Sequence, residues 1–185
     1  KQVAVIGGGP GGLYAAKEAA ANGLSVTIFE KGRIGENIAC AEGFVDVLKL
    51  LPPPAAGVHF PINEILITVM DDFSVDCSHL NIWMIDRKVW QTALAEDVKA
   101  CGCEIIEQKQ ITASELKAIS QEYDWVIDGS GVNPISARAH HLPAVRTAAT
   151  AQYTLAGDFS QLAGRLKVVV DPRFCGYAWV FPKGP

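Results

Sequence analysis

The 185-residue sequence predicts an α/β fold that combines a parallel βαβ layer with an antiparallel sheet. Two observations lead to this prediction. The first thirty residues run through an apolar strand, a glycine-rich turn, an alanine-rich helix and a second apolar strand, which is the order of a βαβ unit. Further along, runs of β-branched residues flank turn residues, a pattern typical of antiparallel hairpins. The two kinds of strand therefore indicate two layers.

Composition narrows the classes of partner. The chain carries 16 basic and 20 acidic residues, a net charge of −4, and its basic residues are not clustered. Because nucleic-acid binding depends on concentrated positive charge, we expect no nucleic-acid partner. Hydrophobic residues make up 49% of the chain without an apolar run long enough to cross a bilayer. These figures indicate a soluble globular protein.

The cysteines bear on the compartment and on metal binding. Their number is odd, and their scatter matches neither a disulfide framework nor a two-pair zinc site. They are Cys40, Cys77, Cys101, Cys103 and Cys175. We therefore expect a reducing, cytoplasmic location and no metal site. A signal peptide is not expected either, because Lys1-Gln2 leads directly into the first strand.

The first elements are set by simple patterns. The run VAVI (residues 3–6) predicts a strand, and the Ala- and Leu-rich segment after GGGPGG (residues 7–12) predicts a helix. Asn22-Gly23 supplies the stop signal for that helix. The β-branched residues of LSVTIFE (residues 24–30) then predict the second strand.

The middle of the chain is less regular. A short helical stretch is predicted near Phe44–Leu51, ended by the prolines at 52–54. The runs ILITVM (65–70) and FSVDCS (73–78) flank Asp71-Asp72 and predict a β-hairpin. Such a hairpin does not belong to a parallel doubly wound sheet, so it marks the start of the antiparallel layer.

The later elements follow from periodicity. They are a helix from Asp86 to about Ala100, a strand at Glu104–Ile106, a helical or irregular segment at 112–122, a buried strand at Asp124–Ile127, a polar loop bearing His140-His141, and antiparallel strands around 145–155, 167–171 and 177–181. Two discontinuous domains result. Residues 1–64 and 85–143 are predicted to form the nucleotide-binding domain, and residues 65–84 and 144–185 the antiparallel substrate-side portion.

The glycine turn carries the first chemical signal. Gly7, Gly9 and Gly12 satisfy G-x-G-x-x-G between a strand and a helix, where the helix N-terminus can face a diphosphate. Glu30 ends the second strand, where a carboxylate can accept hydrogen bonds from ribose hydroxyls and would repel a 2′-phosphate. The alternative is a glycine-rich turn with a structural role only. Strand, helix, second strand and acid all occur in order, which favours a Rossmann-like dinucleotide-binding unit.

A second turn favours FAD over NAD. The segment DGSGVNP (residues 128–134) follows a strand and places Gly129, Gly131 and Pro134 as in the second nucleotide-contact turn of many flavoproteins. The alternative reading is an ordinary Gly/Asn/Pro turn.

Two further segments carry a specific resemblance. IACAEGF (residues 38–44) and GYAWVFPKG (residues 176–184) resemble the C-A-E-G and Y-x-W-x-F-P-K-G signatures of the geranylgeranyl reductase family of flavoproteins, relatives of the FixC electron-transfer dehydrogenases. The order of motifs is also similar, including IDR (residues 85–87) before a helix. The resemblance spans essentially the whole chain.

The resemblance implies a p-hydroxybenzoate hydroxylase-type fold, with FAD in the Rossmann-like layer and an antiparallel sheet covering the isoalloxazine. It places FAD contacts at Gly7, Gly9, Gly12, Glu30, Lys31, Cys40, Ala41, Gly43, Arg87, Ile111, Gly129 and Gly131. Arg87 is the partner expected near pyrophosphate or ribose. Without the family, Arg87 is equally well a surface residue that opens an amphipathic helix.

Cys40 and three aromatic residues have two interpretations each. Cys40 is either a catalytic thiol beside the flavin, as the family motif implies, or a small buried hydrophobic residue. Tyr177, Trp179 and Phe181 alternate along one strand and so face one side. They either line an apolar slot that binds an isoprenoid chain or belong to an ordinary core.

The resemblance implies an FAD-dependent oxidoreductase that saturates isoprenoid double bonds of lipids or pigments. One alternative is a FixC-like dehydrogenase passing electrons to quinone, and another is a nucleotide-binding fragment without activity of its own. Candidate reductants are NAD(P)H and ferredoxin, so an electron-donor protein is a candidate partner beside the apolar substrate. A peripheral membrane contact is expected with such a substrate. The family's third FAD motif would follow the aromatic strand, so we expect a truncated chain.

Overall fold

The structure is a computed structural model that describes residues 1–143, 146–173 and 176–184. The chain divides into two compact units, and both are discontinuous in sequence. The first comprises Lys1–Asn37 and Gln91–Thr150, and the second comprises Ile38–Trp90 and Ala151–Pro185. This division rests on compactness, whereas the domains predicted from sequence are defined by ligand role and stay a prediction.

Eleven strands and four helices are assigned in the described residues. In chain order they are β1 (Gln2–Ile6), α1 (Pro10–Ala21), β2 (Ser25–Phe29), β3 (Gly43–Asp46), β4 (Val58–Pro61), β5 (Glu64–Thr68), β6 (Asp72–Asp76), β7 (Asn81–Ile85), α2 (Arg87–Ala100), β8 (Glu104–Ile106), α3 (Ala113–Glu122), β9 (Trp125–Asp128), α4 (Ile135–Ala139), β10 (Arg165–Val169) and β11 (Ala178–Val180). A short 3-10 turn at Ser160–Leu162 precedes β10.

The first unit is built on a parallel sheet with the strand order β8-β2-β1-β9. The central strand β1 is buried from Val3 to Ile6, as expected of a strand covered on both faces. In its register, Val5 lies between Ile28 of β2 and Ile127 of β9. Because parallel strands end at the same edge, the turns after β1, β2 and β9 all leave the sheet together. The predicted βαβ unit is confirmed.

Helix α3 closes one face of this sheet. Thr112 caps it with a reciprocal box, in which its hydroxyl accepts the Glu115 N–H and the Glu115 carboxylate accepts the Thr112 N–H. The cap resolves the open choice for residues 112–122 in favour of a helix. Its apolar side joins a core cluster formed by Ala4, Ile6, Ile111, Leu116, Ile119 and Ile135.

The second unit contains two sheets. One is mixed, with the order β11-β10-β5-β6, and the other is antiparallel, with the order β3-β7-β4. The predicted hairpin is confirmed, since Thr68 of β5 pairs with Asp72 of β6. The prediction of purely antiparallel pairing is wrong at one position, because β10 runs parallel to β5. A core cluster of Ile62, Cys77, Ile82, Met84 and Leu166 lies within this unit.

The helix predicted near Phe44–Leu51 is wrong. Residues 43–46 form β3, in which Phe44 pairs with Trp83 of the antiparallel neighbour β7. Turns follow, where the Asp46 carboxylate accepts the N–H groups of Leu50 and Leu51. Cross-strand pairing and a side-chain cap thus override the local helical pattern.

Three smaller predictions also differ from the structure. Strand β9 is not fully buried, because it lies at the sheet edge and Trp125 is 58% exposed. The loop predicted after residue 134 contains the short helix α4. No strand forms at 146–155, and Val145, which opens the predicted strand, lies outside the described residues along with Cys175.

The two methionines give a matched test of the second unit's core. Met84 is fully buried on β7, whereas Met70 is 86% exposed at the hairpin turn. Met84→Ala should lower the free energy of unfolding by about 2–5 kcal/mol through lost packing and a residual cavity. Met70→Ala should change it by less than about 0.5 kcal/mol. Urea denaturation measures both, and equal losses would contradict the placement of Met84.

Candidate functional site

The glycine turn after β1 is shaped by close backbone contacts. Gly7 has a φ of +105°, and a Cβ there would lie 2.4 Å from the carbonyl oxygen of Gly129. A Cβ on Gly12 would lie 1.9 Å from the carbonyl oxygen of Gly7. Any larger residue would therefore push apart the ends of β1 and β9 and the start of α1.

Gly9 has the opposite environment. It is the N-cap of α1, in an extended conformation, and no described atom beyond its chain neighbours lies within 4 Å of the position of a Cβ. Pro10 follows at the first helical position, where its missing N–H costs nothing. The first turn of α1 contains no acidic residue. The free N–H groups and the positive end of the helix dipole therefore face open space suited to an anion.

Glu30 points at the glycine turn. One carboxylate oxygen accepts the Gly8 N–H at 2.6 Å, and the other accepts the Gly32 N–H at 2.8 Å. The backbone of Glu30 is fixed as well, since its N–H donates to the Ile106 carbonyl and its carbonyl accepts the Lys109 N–H. A carboxylate oxygen can accept more than one hydrogen bond, so both oxygens keep capacity for hydroxyl donors.

Gln91 is a member of this cluster that the sequence interpretation missed. Its side chain is 7% exposed, and Nε2 donates to the Gly8 carbonyl oxygen at 2.8 Å. A signal was available: Gln91 shares helical spacing with Leu94, Ala95 and Val98, all of them buried. A polar residue on an apolar helix face needs a partner, and here the partner is the glycine turn.

The second turn is organised by Asp128, also missed from the sequence. Its carboxylate accepts the N–H and hydroxyl of both Ser130 and Ser136. Burial acts to raise the pKa of Asp128, but these hydrogen bonds outweigh it and hold the pKa below its ordinary value. The turn is thereby fixed with Gly129 against the start of α1, while Gly131 is exposed.

Cys40 and Arg87 meet in the second unit. The Arg87 Nη1 donates to the Cys40 sulfur at 3.4 Å, and the guanidinium lies 5.4 Å from the centre of the Trp90 ring. The Cys40 sulfur also accepts the Glu42 N–H at 3.3 Å. The Arg87 Nε is buried and has no hydrogen-bond partner among the described residues. An unsatisfied, desolvated donor of this kind suits an acceptor oxygen of a ligand.

The C-A-E-G segment is held by its neighbours in the same unit. Glu42 forms an ion pair with Lys183 at 2.5 Å. A Cβ on Gly43 would lie 3.0 Å from the ring of Phe181. The two signature segments of the sequence thus lie side by side, with half-buried Ala41 between Cys40 and Glu42.

The three aromatic residues do not share one environment. Tyr177 and Trp179 contact each other with ring centres 5.8 Å apart, and Tyr177 is 57% exposed. Phe181, by contrast, packs against the core cluster of the second unit. Tyr177 and Trp179 therefore form a partly exposed aromatic pair, and Phe181 contributes to the core.

The remaining predicted site residues are placed as follows. Lys31 is exposed next to Glu30. Ile111 is buried in the core cluster of the first unit, and it lies between β8 and α3. Among the described residues no group of three or more His, Cys, Asp or Glu is arranged to hold a metal ion.

The described cysteines are all free thiols. Cys77 and Cys103 are buried, and burial raises the pKa of each thiol, so both behave as small core residues. Cys101 is exposed, and Cys40 is half-buried beside Arg87. Cys40 thus has the most polar contacts of the four.

One protein-family model and two solved structures are similar to this chain. Residues 2–60 match the family model described as an FAD binding domain. The structure aligns over 99% of its length with a geranylgeranyl bacteriochlorophyll reductase-like protein from Thermoplasma acidophilum, with a TM-score of 0.68 and 18% identity, covering 53% of that chain. PqsL of P. aeruginosa aligns over 100% of this chain and 58% of its own, with a TM-score of 0.66 and 16% identity. The predicted Rossmann-like fold is confirmed, and the match over residues 2–60 supports FAD as its cofactor.

Curated sequence relatives match nearly the whole of this chain. The digeranylgeranylglycerophospholipid reductases of Methanosarcina mazei and Methanosphaerula palustris are each 31% identical to this chain over 98% of its length. The chain spans about half the length of these curated relatives, 51% and 52%. The chain is thus similar to these reductases over about half of their length, and the resemblance predicted from its motifs is confirmed.

Asp128 gives a pH prediction. A carboxyl whose pKa is lowered by folding contributes stability above its unfolded pKa of about 4, and this contribution is lost as the pH falls through the folded pKa. Asp128→Asn should therefore flatten the fall in stability below about pH 4. Asp71→Asn, at the exposed hairpin turn, is the control and should leave the profile unchanged. Urea unfolding at several pH values measures the slope, and identical slopes for the protein and its Asp128 variant would contradict the assignment.

Proposed function

We propose that this chain supplies the FAD-binding part of a reductase that saturates isoprenoid double bonds in a membrane lipid. The name of its relatives, digeranylgeranylglycerophospholipid reductases, supports the substrate class. The observation that carries the proposal is the open space at Gly9, where the first turn of α1 presents free N–H groups. FAD contains the diphosphate that this arrangement suits.

The first unit would hold the ADP portion of FAD. The diphosphate would lie against the N-terminus of α1, where N–H groups and the helix dipole offset its negative charge. The Glu30 carboxylate would accept hydrogen bonds from the ribose hydroxyls with the capacity left after binding Gly8 and Gly32. The Glu30 carboxylate would repel a phosphate on the 2′-oxygen of that ribose, which favours FAD over a 2′-phosphorylated nucleotide.

The second unit supplies a donor and a thiol. The buried Nε of Arg87 is available to an acceptor oxygen, and the contact of Arg87 with the Cys40 sulfur holds the guanidinium in place. FAD, when bound, supplies the two-electron chemistry of the reduction. The chain's own residues would bind FAD and the substrate and orient them for the reaction. We propose Cys40 as the thiol nearest to that chemistry.

Tyr177 and Trp179 are proposed to contact the isoprenoid chain. The pair is partly exposed, and its two rings, in contact and inclined by 54°, offer an angled apolar surface to a methyl-branched isoprenoid chain. Phe181 would support this surface from the core side. The role is one of orientation and exclusion of water from the double bond.

The partner and reductant follow from the same proposal. The described helices include none with both the length and the apolarity needed to span a bilayer. A lipid substrate nevertheless brings the protein to a membrane surface, so we propose a peripheral contact. NAD(P)H and ferredoxin are the proposed reductants. Quinone reduction and a binding module without activity receive less support, because the relatives at 31% identity are named as lipid reductases.

A substitution at Gly9 tests the cofactor site. Gly9 has a φ of −72°, which any residue can adopt, so Gly9→Val should fold normally. Its side chain would fill the space proposed for the diphosphate and weaken FAD binding by roughly 100-fold or more. Ala21→Val is the matched control, since it introduces the same side chain at the exposed far end of α1. Fluorescence titration with FAD measures both, and unchanged affinity in Gly9→Val would refute the proposed diphosphate position.

A second substitution separates substrate binding from cofactor binding. Trp179→Ala removes one ring of the aromatic pair and should weaken the binding of a geranylgeranyl lipid by about 10-fold. FAD affinity should stay within about twofold. Val180→Ala on the same strand, with its side chain on the opposite face, is the control. Binding assays with geranylgeranylated lipid vesicles and with FAD measure the two effects. Parallel loss of both affinities would instead indicate a folding role for Trp179.

A further inference from the structure

Gln91 is a buried polar residue whose side chain forms a hydrogen bond with the glycine turn. Its amide nitrogen donates to the Gly8 carbonyl oxygen at 2.8 Å, and its side chain is 7% exposed. Neighbouring positions of the same helix face are apolar, including Leu94 and Val98. A buried amide on such a face is costly unless it is hydrogen-bonded, and the hydrogen bond to Gly8 offsets that cost.

The contact fixes the orientation of one peptide group. The Gly8–Gly9 peptide is trans and planar, so the Gly8 carbonyl and the Gly9 N–H point in opposite directions. Because Gln91 holds the carbonyl on one side, the Gly9 N–H is directed to the other. The Gly8 N–H is held by Glu30 and the Gly9 carbonyl by the Leu13 N–H at 2.9 Å. Rotation of this peptide would break the hydrogen bond to Gln91.

We infer that Gln91 is a positioning residue for the anion-binding turn. It keeps the Gly8 carbonyl away from the diphosphate and thereby presents the Gly9 N–H to it. Without the amide, the Gly8 carbonyl would lack its buried donor, and rotation of the peptide would turn a carbonyl oxygen toward the negative ligand. The inference rests on the proposed function, because it assumes that the ligand at Gly9 is the diphosphate of FAD.

The test uses Gln91→Met in the 185-residue chain, since methionine keeps the length of the side chain and removes the donor. Affinity for both FAD and ADP should fall about tenfold, as expected for one misdirected hydrogen bond to a charged group. Amide NMR spectra add a site-specific readout. ADP should shift the Gly9 amide proton strongly in the unmodified chain and much less in the variant, while the Gly12 amide responds in both.

If Gln91 had only a structural role, its replacement would not change the ADP-induced shift of the Gly9 amide proton selectively. Gln121→Met, on the exposed side of α3, is the control and should change neither affinity nor spectrum. If Gln91→Met fails to fold, Gln91→Leu, which removes the donor without adding a charge, replaces it with the same expected result. An unchanged Gly9 response in a folded variant would overturn the inference. Absence of FAD and ADP binding in the unmodified chain would instead overturn the proposed function.

Discussion

The structure of the first unit depends on one steric constraint: three pieces of backbone approach so closely at the end of the parallel sheet that no side chain fits between them. A Cβ on Gly12 would lie 1.9 Å from the carbonyl of Gly7, and one on Gly7 would lie 2.4 Å from the carbonyl of Gly129. The close approach brings the start of α1 to the edge where β1 and β9 end. The free N–H groups of α1 consequently face the space beside Gly9, and the electrostatics of the site follow from that position.

Three side chains then hold the two turns in position through hydrogen bonds. Glu30 binds the N–H of Gly8, Gln91 binds its carbonyl, and Asp128 performs the corresponding role in the second turn through two serines. Each is a polar group whose hydrogen bonds offset partial burial. The site is therefore held in shape before any ligand binds, which reduces the ordering cost of binding.

Local signals explain which parts of the molecule could be predicted from sequence. The βαβ unit was predictable because strand composition, glycine spacing and the stop at Asn22-Gly23 all agree. The segment 44–51 was not, since its pairing partner β7 lies some forty residues away and decides its conformation. In the site, glycines and Glu30 follow a known spacing. Gln91 stood out only as a polar residue on an apolar helix face, because its partner Gly8 lies 83 residues away in the sequence. Asp128 was missed because its contact with Ser136 depends on how the second turn folds.

The central claim is that the turn at Gly9 binds a diphosphate and that the ADP portion of FAD anchors the cofactor. The most direct measurement is a competition experiment in which the FAD retained by the 185-residue chain is separated from free ligand and quantified, with ADP and riboflavin as competitors. ADP should displace FAD, whereas riboflavin, which lacks phosphate, should not. Displacement by riboflavin with no effect of ADP would contradict a diphosphate site at Gly9.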